Sequence, residues 1–398
     1  AKFKLGIFEN RFVDIEKIQD KIFTSEHRFT ALETARKGIV LLKNSNLLPL
    51  NKTKESKKIL VTGPNANNQS ILGDWHAAQP EENVTTIYEG IKELGESKGY
   101  DVLFHDSEEN IRKISNKDIQ KTIEASKGAD YVIVVVGDNS MRYKWKDKTA
   151  GENMARAELN LAGKQLDLVR SLKETNDNVI VVYVNGKPIS EPWIQVNIPS
   201  IIEAWEPGNL GGKAVAEVIF GDINPSGKLP LTIARSVGQL QMIYNHKPSQ
   251  YFHKYAFEKN KPLYPFGYGL SYTKFSYSKP KLLNSTFDNN SIIKVQVEVS
   301  NVGDMDGDEV VQLYIRDKVS SVTRPVKELK GYKRINLKIG ETKKVIFEIT
   351  PESLAFYDID MNYVVEAGSF NIMTGSSSQN KSLKTVELTI LNKINFNN

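Results

Sequence analysis

The sequence predicts an α/β unit, in which helices sandwich a mainly parallel sheet, followed by an all-β sandwich of immunoglobulin type. Three observations support this fold class. From residue 58 to residue 220, short β-branched runs alternate with helical stripes, as expected for parallel strands joined by helical crossovers. Near Gly221 the chain becomes rich in turn residues. Beyond residue 290 it shows alternating strand patterns without a helical stripe.

The α/β unit opens with residues 1–25, which have little regular pattern and are interpreted as an extended connector. A helix is predicted from Ser25, because apolar residues recur at helical spacing as far as Leu42, and Pro49 ends the pattern. Strands are then predicted at residues 58–63, 100–104, 130–139, 178–185 and 200–205. Helices are predicted between and after these strands at residues 84–98, 117–127, 160–175 and 211–220.

The second unit is predicted from period-two patterns separated by turn residues. Its strands are expected at residues 292–300, 309–316, 343–349 and 363–374. With these elements, the chain divides into a connector, an α/β unit, a linker segment and a β-sandwich, at residues 1–25, 26–235, 236–285 and 286–398.

Composition excludes several classes of function. The 398 residues favour two domains, and the net charge of +5 comes with scattered lysines, so neither nucleic-acid binding nor a membrane span is expected. The absence of cysteine excludes disulfides and thiolate sites without deciding the compartment. The opening AKFKLGIFEN has neither an initiator Met nor a leader pattern, so we interpret the chain as the continuation of a longer one.

The connection between the strand at 130–139 and the next helix is the first candidate site. It is a polar loop of about twenty residues at the carboxyl end of a core strand, where α/β sheets place their chemistry. Glu152 follows Gly151, whose lack of a side chain allows close backbone approach to a ligand. A solvated loop carboxylate is the simpler interpretation of Glu152 on local features alone. Asp147 and Glu158 have ordinary structural explanations.

Trp75, in the segment LGDWH, has two interpretations: core packing, or an exposed platform on which a sugar stacks. Other motifs are weaker. GPNANN follows a strand as a phosphate loop would, but Pro64 removes an amide donor and no glycine fingerprint is present. The histidines lack metal-ligand spacing. No cofactor and no metal are therefore expected.

Six ordered motifs together resemble the carboxyl-terminal half of glycoside hydrolase family 3, the β-glucosidase and β-xylosidase family. The motifs are ALETARKGIVLLKNSNLLPL, GENMARAELNLAGKQ, VNGKPIS, EAWEPGNLGGKAVAEVIFGDINPSGKLPLT, FGYGLSYTKF and NVGDMDGDEVVQLYI. The resemblance covers nearly the whole chain. It implies that the β-sandwich is fibronectin type III-like.

The resemblance also implies retaining, exo-acting hydrolysis of a β-linked sugar. Glu152 falls on the position of the family's general acid/base, Trp75 on that of an aromatic on the leaving-group side, and Arg156 is assigned to orienting the loop. Such chemistry uses a carboxyl group that keeps its proton near neutral pH, as an apolar, partly dry site allows. The family's nucleophile is an Asp in an amino-terminal (β/α)8 barrel, for which this chain shows no counterpart. The chain is therefore expected either to be one piece of a cut or split enzyme or to pair with a barrel that is encoded separately.

The competing hypothesis is a carbohydrate-binding or scaffolding module without catalysis. It predicts an exposed row of aromatics on the β-sandwich, whereas core packing is the simpler expectation for the aromatics at 314, 332, 347, 356 and 363. An enzyme half instead predicts exposed apolar surface around Glu152 and along Phe266–Phe275, where the barrel would dock. A periplasmic or secreted location and a possible homo-oligomer complete the expectations.

Overall fold

The computed structural model describes residues 1–50, 57–239, 242–248, 254–284 and 291–396. The elements of the first unit, in chain order, are α1 (Ile18–Lys21), α2 (Ser25–Gly38), β1 (Val40–Asn44), β2 (Lys58–Thr62), α3 (Ile87–Ser97), β3 (Asp101–His105), α4 (Asn116–Ser126), β4 (Tyr131–Gly137), α5 (Gln165–Thr175), β5 (Val179–Val184), α6 (Pro192–Asn197), β6 (Ser200–Trp205) and α7 (Gly211–Ile219). The alternation predicted from residue 58 onward is confirmed, and α6 is an addition to it.

A six-stranded sheet in the order β1-β6-β5-β4-β2-β3 organises this unit. Strands β2 to β6 pair in parallel, whereas β1 runs antiparallel to β6. Successive side chains of a strand point to opposite faces, so Ile133 and Val135 join the core under α2, α3 and α7, and Val132 and Val134 join the core under α4, α5 and α6. Burial on both faces explains the unbroken β-branched run of β4.

The predicted helix from Ser25 is too long. α2 ends at Gly38, and the next residues form β1, with Leu41 opposite Ile202 of β6. Leu41 and Leu42 enter opposite cores, as alternate residues of a strand do. β-Branched residues after a glycine favour the extended backbone, and pairing with β6 satisfies its polar groups. Residues 1–24 also differ from an extended connector, because they contain turns and α1.

Helices α3 and α7 cross with their backbones in contact. A Cβ added at Gly212 would lie 1.9 Å from the carbonyl oxygen of Thr86, and one added at Gly90 would lie 2.2 Å from the carbonyl oxygen of Gly212. Only glycine therefore permits this helix spacing. The contact lies over the core that Ile133 and Val135 of β4 form with both helices.

Gly212→Ala is expected to lower the free energy of unfolding by about 2–4 kcal/mol, because the added methyl group forces the two helices apart. Gly38→Ala is the matched control, since a Cβ there would meet nothing within 4 Å, and it should change stability by less than about 1 kcal/mol. Urea unfolding of the two variants measures both values. Equal changes would show that the α3–α7 spacing is not critical.

The second unit is antiparallel. In chain order its elements are β7 (Phe275–Tyr277), β8 (Lys281–Leu282), β9 (Ile293–Asn301), β10 (Gly307–Asp317), β11 (Glu328–Leu337), β12 (Thr342–Ile349), α8 (Pro351–Leu354), β13 (Phe356–Tyr357), β14 (Tyr363–Val365), β15 (Gly368–Gly375), β16 (Leu383–Ile390) and β17 (Ile394–Asn395). One sheet has the order β11-β10-β15-β16 and a second has the order β12-β9-β7. Their inner faces form one core.

The β-sandwich prediction is confirmed, but the predicted strand at 363–374 is two strands, β14 and β15. The long strands β11 and β16 and the short strands β7, β8, β13 and β17 are additions to the prediction. β11 carries few apolar residues because it lies at a sheet edge and most of its side chains contact solvent. Of the aromatics expected in the core, Tyr314, Phe347 and Phe356 are buried. Tyr332 is not: it lies on β11 and is 69% exposed.

The segment Phe266–Phe275 joins the two units and is not the exposed apolar surface that was expected. Phe266 stacks on Tyr244 with ring centroids 4.2 Å apart. The amide of Leu270 donates to the carbonyl oxygen of Leu41 at 2.9 Å in the first unit. On the other side, Gln312 of β10 donates to the carbonyl oxygen of Gly267 at 3.0 Å. The aromatics of this segment are thus used for contacts within the chain.

Candidate active site

The candidate site lies at the carboxyl edge of the six-stranded sheet. The loops that follow parallel strands lie at the same edge of a sheet, and five loops meet there: residues 63–86 after β2, 106–115 after β3, 138–164 after β4, 185–191 after β5 and 206–210 after β6. The loop after β4 is the longest turn-rich connection among them and contains a 3-10 segment, Arg142–Asp147.

Asp138, directly after β4, anchors this loop. Its carboxylate accepts hydrogen bonds from Arg156 Nη1 at 2.8 Å and from the Thr149 hydroxyl at 3.1 Å, and it lies 2.8 Å from Lys187 Nζ. Arg156 also donates to the carbonyl oxygen of Asn160 at 2.8 Å. Arg156 therefore connects the carboxyl-terminal part of the loop, at Asn160, to the end of β4, at Asp138. Both of these polar contacts of its guanidinium are with residues of the loop itself.

Glu152 lies on the outer part of the same loop, with its side chain 43% exposed. Its carboxylate forms an ion pair with Arg142. Its amide donates to Asp74 Oδ2 at 2.5 Å, and its carbonyl oxygen accepts from Lys148 Nζ at 3.2 Å. Gly151 has φ +96°, and a Cβ there would lie 2.6 Å from Asp74 Oδ2, so glycine brings the backbone close to a carboxylate of this chain.

Trp75 is 75% exposed, which contradicts core packing as its role. The guanidinium of Arg142 lies 3.8 Å from the centre of its ring. Since Arg142 also pairs with Glu152, one side chain connects two of the three residues that the sequence predicted for the site. Trp145 is exposed nearby in the chain, with Lys148 Nζ 4.8 Å from its ring centre. This edge of the molecule therefore presents two exposed indole rings, each with a cationic side chain against it.

Sequence reasoning missed three residues that organise this edge: Asp74, Arg142 and Lys148. Asp74 had a usable signal, since it directly precedes Trp75 in LGDWH. Burial alone would raise the pKa of Asp74, but hydrogen bonds from Lys148 and the Glu152 amide, together with the charge of Arg142, lower it below the ordinary value. Asp74 is therefore a carboxylate at neutral pH. Nothing local in the sequence singles out Lys148 or Arg142.

Two glutamates, one within β6 and one directly after it, were also missed. Glu206 packs between two glycines, because a Cβ at Gly73 would lie 2.6 Å from its Oε2 and one at Gly186 would lie 3.0 Å from its Oε1. It accepts a hydrogen bond from the Ser140 hydroxyl at 2.7 Å. Burial raises its pKa above the ordinary value. Glu203, inside β6, is fully enclosed, and burial raises its pKa to about 8 although the Trp205 amide favours the carboxylate.

The raised pKa of Glu203 makes stability depend on pH. The folded state holds the proton up to about pH 8, whereas the unfolded state releases it near the ordinary value of 4.5. The contribution of Glu203 to the free energy of unfolding is therefore fully present below pH 4.5 and is lost as the pH rises toward 8. Between pH 5 and pH 8 we expect Glu203 to account for a fall on the order of 2–4 kcal/mol in the free energy of unfolding.

Urea unfolding at both pH values tests this expectation. Glu203→Gln should remove that part of the fall, whereas Glu82→Gln, on an exposed turn, should leave it unchanged. If Glu203→Gln and the wild type lose the same free energy between pH 5 and pH 8, the carboxyl group of Glu203 does not titrate as described.

The weaker motifs take structural roles. In GPNANN, the side chain of Asn65 donates to the carbonyl oxygens of Asp138 and Val184 at 3.1 and 3.2 Å, so the loop binds its neighbouring strands. Within the described ranges, no three His, Asp or Glu side chains are grouped so that they could hold a metal ion. None of the helices in those ranges is long and apolar enough to cross a bilayer.

Comparison with known proteins relates this architecture to the glycoside hydrolases. Residues 39–272 match the glycosyl hydrolase family 3 C-terminal domain, and residues 309–378 match the fibronectin type III-like domain. The chain belongs to glycoside hydrolase family 3. The resemblance found in its motifs is thereby confirmed.

Individual relatives agree with this assignment. A beta-xylosidase of Formosa agariphila is 42% identical over 98% of this chain and 54% of its own length. A periplasmic beta-glucosidase of Salmonella typhimurium is 36% identical over 95% of this chain and 53% of its own length. The crystal structure of a beta-glucosidase from Listeria innocua in complex with glucose aligns with a TM-score of 0.86 at 30% identity, over 98% of this chain and 53% of that one. The chain spans about half the length of the curated relatives it matches.

Proposed function

We propose that this chain supplies the general acid/base of a retaining, exo-acting β-glycosidase, and that an Asp nucleophile lies in an amino-terminal (β/α)8 barrel. The substrates proposed are β-glucosides or related β-linked oligosaccharides, cleaved from the non-reducing end. The main support is the position of Glu152, a half-exposed carboxylate that Arg142 links to the exposed ring of Trp75 at the carboxyl edge of the sheet. The names of the family relatives, a beta-xylosidase and a beta-glucosidase, agree with this substrate class.

The reaction has two displacements. In the first, the barrel Asp attacks the anomeric carbon while Glu152 gives its proton to the glycosidic oxygen, so that the leaving group departs as an alcohol. In the second, Glu152 removes a proton from water, which displaces the Asp and releases the sugar with its original configuration. One carboxyl group therefore serves as acid and then as base.

The neighbouring residues have supporting roles in this proposal. Trp75 offers a flat apolar face to the leaving group, and Arg142 lies against that ring. Arg156 orients the loop through Asp138. The surroundings of Glu152 in this chain are polar and half exposed, unlike the dry site that favours a protonated acid, so the barrel is proposed to cover this edge and exclude water. A periplasmic or secreted location is proposed in keeping with the Salmonella relative.

The experiment that tests this function joins the chain to its barrel and assays nitrophenyl β-glucoside, β-xyloside and α-glucoside. Hydrolysis of one or both β-glycosides is expected, with the β-anomer appearing first by NMR because the mechanism retains configuration. Release of the α-anomer first, or cleavage of the α-glucoside alone, would contradict the proposal.

The alternative of a carbohydrate-binding or scaffolding module has less support. It requires an exposed row of aromatics on the β-sandwich. Tyr332 and Tyr357 are exposed there, but they lie on β11 and β13, which belong to different sheets. The β-sandwich therefore offers no continuous aromatic platform in its described residues.

A further inference from the structure

One ion pair, between the enclosed Lys148 and the largely enclosed Asp74, binds both backbone polar groups of Glu152. Asp74 Oδ2 accepts from the Glu152 amide at 2.5 Å, and Lys148 Nζ donates to the Glu152 carbonyl oxygen at 3.2 Å. Lys148 Nζ and Asp74 Oδ1 are themselves 2.8 Å apart. The peptide groups on either side of Glu152 are thus attached to the same two side chains, although Asp74 comes from a different loop.

Lys148 is unusual because its side chain is 0% exposed. Removing a lysine from water is costly, and a single buried ion pair seldom recovers that cost as stability. Specifying a geometry is the best-attested role of such a pair. Among the residues that the structure describes, the one whose amide and carbonyl group both bind this pair is the proposed acid/base.

Gly151 brings the backbone into this arrangement. Its φ of +96° is a conformation natural to glycine, and an added Cβ would lie 2.6 Å from Asp74 Oδ2 and 3.2 Å from Lys148 Nζ. The turn before Glu152 therefore packs directly against the ion pair. Any shift of the pair must shift Glu152.

We infer that Asp74 and Lys148 are positioning residues that set where the carboxyl group of Glu152 lies relative to the scissile bond. This inference rests on the proposed function. Proton transfer requires the acid within hydrogen-bond reach of the leaving oxygen, and a displacement of about 1 Å is enough to cost on the order of 10²-fold in rate. Since Asp74 directly precedes Trp75, the same pair links the position of the acid to that of the leaving-group platform.

The first test uses this chain and measures hydrogen exchange at the Glu152 amide by NMR. Lys148→Met keeps the length of the side chain and removes its charge, and Asp74→Asn keeps the shape of the other partner. Both should speed exchange at Glu152 by about tenfold or more while core amides of β4 keep their wild-type rates. Lys144→Met is the control. Lys144 lies on the same loop as Lys148, but it pairs with Glu109, which follows β3, and not with Asp74. Unchanged exchange at Glu152 in both variants would overturn the inference.

The second test measures kcat/KM after the chain is joined to its barrel. Both variants should lose about 10- to 100-fold on a glycoside with a basic leaving group and less than about threefold on a dinitrophenyl glycoside. A merely structural role would slow both substrates equally, which would contradict the inference. If Lys148→Met does not fold, the kcat/KM values of Asp74→Asn on the two substrates alone test the inference.

Glu152→Ala separates the two hypotheses. If Glu152→Ala depends on the leaving group and the two positioning variants do not, the inference is wrong and the proposed function stands. If Glu152→Ala shows no such dependence, the proposed function is wrong, and the inference that rests on it is wrong as well.

Discussion

Replacing Glu152 by alanine in the chain joined to its barrel should slow cleavage of a disaccharide by about 10²–10⁴-fold. The reason is the leaving group: a sugar alkoxide that departs without a proton is high in energy, whereas a dinitrophenolate leaves readily. Glycosyl transfer from a dinitrophenyl glycoside should therefore suffer much less. Comparing kcat/KM for the two substrates measures this difference.

The second displacement gives an independent readout of the same variant. Without Glu152 no base activates water, so a glycosyl-enzyme should accumulate after the first step. Azide needs no base and should release the sugar as a glycosyl azide, which mass spectrometry detects. If good and poor leaving groups are slowed equally and azide does nothing, Glu152 is structural.

Two nearby carboxylates are controls for this experiment. Asp147 accepts a hydrogen bond from the Asn110 side chain at 2.6 Å, and Glu158 lies on the exposed part of the same loop. Asp147→Ala and Glu158→Ala should change neither the dependence on the leaving group nor the response to azide. A leaving-group effect in one of them, and not in Glu152→Ala, would move the acid/base role to that residue.

The purified polypeptide of residues 1–398, tested without a barrel, is expected to show no saturable hydrolysis of aryl β-glycosides. The proposed reaction needs a carboxylate that attacks the anomeric carbon, and that group is assigned to the barrel. Even a good leaving group should therefore not be released. Adding the barrel should restore turnover if the two parts associate.

The appropriate measurement is a nitrophenyl β-glucoside assay on highly purified material, with Glu152→Ala prepared in parallel. Activity that co-purifies with the wild-type chain and disappears in the variant would contradict the expectation, since the chain would then contain a complete catalytic centre. Activity present in both preparations would instead identify a contaminating enzyme.

Much of the fold was predictable because the sheet is buried on both faces. For that reason β4 and β5 consist largely of β-branched residues, a pattern typical of strands buried on both faces. The helices between the parallel strands carry a clear apolar stripe. β1 was mistaken for the end of α2 because Leu42 continues the helical spacing, and the pairing with β6 that decides its conformation is distant in sequence. The edge strand β11 was missed because few of its residues are buried.

The sequence by itself determined the two-unit architecture and the family, since local periodicity and ordered motifs carry that information, and it predicted Glu152, Trp75 and Arg156 as candidate site residues. The network that holds Glu152 was decided only by the tertiary structure. Asp74 and Lys148 are separated by 74 residues, and they meet because β2 and β4 are neighbouring parallel strands that end at the same edge. Periodicity reports which side of an element is buried, whereas contacts between loops depend on strand order, and no local pattern encodes that order.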